Sequence, residues 1–345
     1  MTEFLESFAT RQLLPPWEAR DVDISCFVFA LEPGTIQNYL DKFFNFGGED
    51  RAPFYFKEHH EFDFGVLVFQ QFAKIGSSNK ANMAAAGVDY ESWDHLSYNQ
   101  AFVAVPIIRY SITADNLLVD PQLYWTQPVV ISDSATVVFG SREIVGIDMI
   151  QGRIEVADGA LPGSLHIDTW INGFARFSPQ TKESELPFVH VETGARFEGD
   201  GMPTATQSML AKLLMARLEV GGNAQPLGSQ KLVTLKQFRD SFDLQRATYQ
   251  AIVSSSSTIV GDMRNLRHFE PQSVEIEFIW SDSASEILSS FLHLGTFEPP
   301  ADDPLKHGRE WNMAYKKLPT QMCFRFTADL RFDAFETLHT FGQRD

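Results

Sequence analysis

The chain has 345 residues, 44% of them hydrophobic and 21% charged, which is the balance of a folded protein of one large domain or two. Its formal net charge of −17 opposes non-specific binding to nucleic acid or to an anionic membrane surface, because the long-range field repels phosphate. Two cysteines, Cys26 and Cys323, are too few and too far apart for a secreted disulfide scaffold or a metal-ligand spacing, and read as ordinary buried thiols.

In chain order, the opening "MTEFLESFATRQLLPPWEARD" lacks the basic and apolar regions of a signal peptide. No run approaches the ~20 apolar residues of a membrane helix, so the cytoplasm is the expected location. "DISCFVFAL" (23–31) is a strand stopped by Pro33 and Gly34. "TIQNYLDKFFN" (35–45) places Ile36, Leu40, Phe43 and Phe44 on one face of a short helix. "FDFGVLVFQQFAKI" (62–75) is a strand, and 77–95 is a long polar loop of the kind that serves as a lid. Strands follow at 97–112, 134–150, 152–158 and 164–178, then a helix at 204–220 that ends at Gly221-Gly222. Further strands are expected at 231–238, 247–261 and 273–280, and the stretch 321–338 closes the chain. The 30 phenylalanines, many at alternate positions, suit a large core built of sheet.

Several chemical motifs are absent. There is no Gly-rich phosphate loop and no G-x-S-x-G nucleophile elbow. In "KEHHEFDF" (57–64), His59, Glu61 and Asp63 share one face of a strand and could hold a divalent metal. A polar outward face opposite a Phe-rich inward one explains the same spacing, and no metal or other cofactor is assigned. Asp89, Glu91, Asp94 and His95 read as solvated charge in the loop.

The stretch "SREIVGIDMI" (141–150) resembles the active-site strand of the acetoacetate decarboxylase family. In that family an Arg-Glu pair precedes aromatic-Pro-Lys-Lys, and the first lysine forms a Schiff base with the substrate ketone. Desolvation of the neighbouring lysine's surroundings frees an amine to attack at neutral pH. "SYNQAFVAVPI" (97–107), "KLVTLKQFRDSFDLQRATYQAIVSSSSTIV" (231–260) and the opening strand and helix are similar to other parts of the family pattern, so the resemblance spans residues 22 to 295. It implies a mostly β (α+β) fold: a closed antiparallel β-barrel or cone with flanking sheet and a few peripheral helices. Residues 1–298 would form the barrel domain, with 299–345 a C-terminal extension packed on it. Family members commonly form oligomers, so at least a homodimer is expected.

The departures from the family pattern carry the functional reading. Arg142 and Glu143 match the Arg-Glu pair, but Met149 falls where the Schiff-base lysine would be, and a thioether forms no imine. Gln100 and Gln70 fall where the family has pocket glutamates, and the N-terminal pocket arginine has no counterpart. Loss of both signs of charge together leaves a neutral pocket, since an unpaired buried charge is costly. The resemblance then implies a small-molecule enzyme of specialised metabolism that does not decarboxylate: a lyase or dehydratase, or a cyclase or isomerase, acting on a neutral carbonyl or polyketide-type compound. Gln100 would donate a hydrogen bond, and Glu143 or Asp148 would serve as acid or base. Gln70, Tyr98, Arg142 and Met149 would contact substrate. Arg142 and Glu143 read equally as an internal salt bridge, and Met149 as core packing. Strand alternation allows only one of Asp148 and Met149 to face the cavity. Lys236 reads as a solvated charge at a strand edge. The alternative is a binding protein that uses the same cavity and does no chemistry.

Overall fold

The computed structural model describes residues 15–47, 51–58, 63–78, 96–159, 161, 163–194, 229–239, 247–299 and 313–341. Among these the fold is mostly strand. In chain order the strands are β1 (Trp17–Ala30), β2 (Phe54–Lys57), β3 (Phe64–Ser77), β4 (Leu96–Ile112), β5 (Leu118–Ser132), β6 (Met149–Asp158) and β7 (Leu165–Gly173). They continue as β8 (Ser184–Thr193), β9 (Ser229–Arg239), β10 (Ala247–Phe269), β11 (Val274–Ile279), β12 (Tyr315–Leu318), β13 (Thr320–Phe332) and β14 (Glu336–Thr340). Two helices, α1 (Thr35–Phe43) and α2 (Ala135–Gly140), lie among them.

All 14 strands belong to one sheet, in the order β12-β11-β8-β7-β6-β5-β9-β10-β13-β1-β3-β4-β2, with β14 beside β10. β5 also pairs with β4, so the pairings from β5 through β9, β10, β13, β1, β3 and β4 return to β5. The sheet is mixed rather than purely antiparallel, because β5 runs parallel to both β6 and β9. The stretch read as a C-terminal extension supplies β13, which is hydrogen-bonded to both β1 and β10.

Strand alternation explains the two cores. On β1, Phe27 and Phe29 point to one cluster, while Ile24, Cys26 and Val28 point to the other. On β4, Ala101, Val103 and Val105 join the first, and Phe102 and Ala104 the second. Burial on both faces is why these strands read as near-continuous apolar runs. The first cluster fills the space against β7, β8 and β11 (Ile167, Val191, Phe278) and against α1 (Ile36, Leu40). The second surrounds the candidate site.

One expected strand is a helix instead. Residues 134–148 are not strand. Ser134 caps α2 by accepting from Val137 N–H, the backbone continues as a π-helical turn over Ser141–Val145, and Gly146 ends it at φ +73°. Only Met149 and Ile150 of the expected strand lie in β6. The sequence reading has no strand at β2, β5, β8 or β12, and it assigns no element to the stretch 321–338, which spans most of β13 and the start of β14. The helix expected at 204–220 and nearly all of the loop expected at 77–95 lie outside the described residues, as do His59 and Glu61.

Candidate functional site

A cavity of about 160 Å³ lies against the second core cluster. β4 lines it with every second residue, Leu96, Tyr98, Gln100, Phe102 and Ala104. β3 adds Gln70, Phe72 and Ile75, and β5 adds Trp125 and Gln127. Ser255, Ser256 and Ser257 of β10, with Trp17, Leu232, Phe332 and Phe335, complete the strand side. α2 and the turn after it contribute Thr136, Val137, Gly140, Ser141, Ile144, Val145 and Ile147, and Met149 opens β6. Among the described residues, no lining side chain is charged.

The polar groups in this lining are mainly amides and hydroxyls. Gln70 and Gln100 are direct cross-strand partners, so their side chains stand side by side on one face. Neither amide hydrogen-bonds another described residue, and Gln127 Oε1 is buried without a hydrogen-bond partner. Tyr98 stacks on Phe72 at 4.7 Å, and burial followed by the Asp133 charge raises its phenol above the usual value. That phenol stays protonated at neutral pH and is a hydrogen-bond donor rather than a base.

Gln70, Tyr98, Gln100 and Met149 all line the cavity. Met149 is buried, whereas the preceding Asp148 has an 88% exposed side chain that accepts a 2.8 Å ion pair from Arg142. Arg142, Glu143 and Asp148 therefore stand outside the lining, because the helical turn carries them away from the face that a strand would have given them. Arg142 pairs with Asp148 rather than making the internal bridge to Glu143 that the sequence suggested. Lys236 is partly buried and not solvated at an edge. Its ammonium donates to Ile144 O at 3.1 Å; desolvation lowers its pKa, and the nearby Glu143 carboxylate opposes the shift. It does not reach the lining either. Cys26 and Cys323 are free and buried, with burial pushing both thiols up to about 12, so neither is a thiolate at neutral pH. The sequence reading missed Gln127 and the Ser255–Ser257 run; the only signal for them was the polar "SSSS" inside an apolar strand.

No helix among the described residues is long and apolar enough to cross a membrane. A scan against protein-family models finds no match, and a search of curated proteins finds none. Solved structures do match. Acetoacetate decarboxylase from Legionella pneumophila subsp. pneumophila str. Philadelphia 1 aligns with a TM-score of 0.56 and 10% identity, over 95% of this chain and 89% of that one. A second acetoacetate decarboxylase structure aligns with a TM-score of 0.51 and 8% identity, over 95% of this chain and 91% of that one. At such identities the likeness is one of architecture: this chain shares the fold of acetoacetate decarboxylase.

Proposed function

We propose that the seven-strand ring is a closed β-barrel whose cavity takes one small, neutral, largely apolar molecule bearing carbonyl or hydroxyl groups. The observation that carries this reading is the trio Gln70, Gln100 and Gln127, amides in a cavity where, among the described residues, no lining side chain is charged and Gln127 Oε1 is buried without a hydrogen-bond partner. A buried polar group left unpaired costs about 1–3 kcal/mol, so a ligand donor that satisfies Gln127 Oε1 gains that much in return, while the half-buried Gln70 and Gln100 amides add orientation. A charged ligand would leave water and meet no counter-charge among the described residues.

Chemistry through an imine is not part of this reading. Among the described residues no amine lines the cavity, and Met149 takes the place that the family resemblance gives to the Schiff-base lysine. Glu143 and Asp148 are dropped as acid and base, since neither lines the cavity. The best-supported activity is binding. The second reading is an isomerase or cyclase, favoured by the adjacent Gln70 and Gln100 amides, which could donate to a developing enolate oxygen while the aromatic wall fixes shape.

Mass spectrometry of a small-molecule extract from the source cells, with wild type or Gln100→Ala, separates the readings. A compound retained unchanged by wild type and released at least ten-fold more easily by the variant supports binding. Conversion of one compound into another by wild type alone supports the isomerase or cyclase. Covalent trapping of acetoacetate by borohydride would overturn both.

A further inference from the structure

A second polar cluster lies away from the cavity, on β7, β8 and β11. Strand register sets it out. Asp168 of β7 pairs with His190 of β8, and His190 pairs with Glu277 of β11. Paired residues share a face, so these three side chains form a row across the sheet. The next row holds His166, Glu192 and Glu275. Neighbouring positions Ile167, Val191 and Ile276 face the first core, so the polar rows face away from it. The row is nevertheless enclosed: the side chain of His190 is 3% exposed and that of Glu277 1%.

The Asp168 carboxylate sits between the two imidazoles, 2.8 Å from His166 Nε2 and 2.8 Å from His190 Nδ1. Two imidazole nitrogens and a carboxylate oxygen lie within 4.8 Å of one another. A tetrahedral zinc site with Zn–N distances of about 2.0–2.1 Å needs donors about 3.4 Å apart, within reach of small rotations here. The other ring nitrogen of His190 lies 4.0 Å from a Glu192 carboxylate oxygen. That is beyond a hydrogen bond, and a small rotation of the half-exposed Glu192 side chain brings it to where the carboxylate that orients a metal-bound histidine belongs. Charge points the same way. Glu192, Glu275 and Glu277 crowd the two rows beside Asp168, and Lys317 is the cation paired with Glu275 and Glu277.

We infer that His166, Asp168 and His190 form a binding site for a divalent transition metal of the zinc class, independent of the cavity. Each imidazole coordinates through the nitrogen that faces Asp168 and moves its proton to the other ring nitrogen, where Glu192 receives the one from His190. Three protein ligands leave one position for water on the side of His166, the more exposed of the histidines. The metal joins β7 to β8.

The test uses the full chain stripped with chelator. It is titrated by calorimetry with zinc chloride and with magnesium chloride, and by absorption spectroscopy with cobalt chloride. Wild type is expected to bind one equivalent of zinc, give cobalt bands in the visible range, and ignore magnesium. His166→Gln, at a partly exposed position, is expected to weaken zinc at least ten-fold, and Asp168→Asn likewise. If wild type binds no zinc, or binds it no better than His166→Gln does, the cluster is a hydrogen-bonded triad alone and the site is withdrawn.

Discussion

His268 on β10 shows what one unspent group does to the molecule. Its ring is partly buried opposite Phe324 of β13, and its Nδ1 is buried without a hydrogen-bond partner. Desolvation disfavours the imidazolium and lowers its pKa from the ordinary 6.5. The unfolded chain therefore takes up a proton before the folded one does. Stability is held above pH 6.5 and falls as the pH drops through 6.5 toward the lower folded value. His268→Phe is expected to flatten this fall in urea unfolding between pH 7 and 5.5, while the other histidines contribute equally to both proteins. Equal slopes would mean that the ring is solvated. Among the cavity amides, Gln127 Oε1 is the same kind of group, buried without a hydrogen-bond partner among the described residues. Gln70 and Gln100 were legible in sequence because polar residues interrupt apolar strands there and the family resemblance marks both positions. Gln127 was not, since β5 itself was not read as a strand.

The helical element that lines the cavity shows why local patterning misleads. "SATVVFGSREIVGIDMI" is rich in β-branched residues and reads as strand. Its ends say otherwise: Ser134 is an N-cap, and Gly146 takes the left-handed conformation that ends a helix. A Cβ at Gly146 would lie 2.4 Å from Lys236 Cα, so glycine also lets the turn rest directly on β9. Two bonds hold it there: the buried Thr234 hydroxyl donates to Val145 O at 2.6 Å, and Lys236 to Ile144 O. Thr234→Val keeps the shape and strands the carbonyl. It is expected to cost about 1–3 kcal/mol of unfolding free energy in urea titration. A loss below 0.5 kcal/mol would show that the turn is held by packing alone. The missed strands have a different cause. Pro121 and Pro128 of β5 and Pro187 of β8 argue against strand, yet each falls at a shift of register, where a missing N–H costs no ladder bond.

At the scale of the molecule, composition told of sheet but not of the order of its strands. β13, from the end of the chain, lies between β1 and β10, and no local pattern encodes a pairing of residues about three hundred positions apart. What the whole sequence does encode is charge. With 45 acidic against 28 basic residues, the folded state concentrates a net −17 in a small volume. Surface ion pairs such as Arg264 with Asp21 and Asp329, at 2.9 and 2.8 Å, work against that repulsion. Salt acts on the two terms differently. Raising ionic strength from about 0.01 to 0.15 M shortens the Debye length from about 30 to 8 Å. Repulsion between charges ten or more ångströms apart is then largely lost, whereas a pair in contact is only partly weakened. Each exposed pair is worth at most about 1 kcal/mol, and the excess of like charge is summed over the whole surface. Repulsion therefore wins, and sodium chloride over this range is expected to raise the melting temperature by about 2–5 °C, at about 2 °C per kcal/mol for a chain of this size. Scanning calorimetry of metal-free protein at several salt concentrations measures it. A melting temperature that falls with salt would mean that contact pairs outweigh the field of the whole molecule.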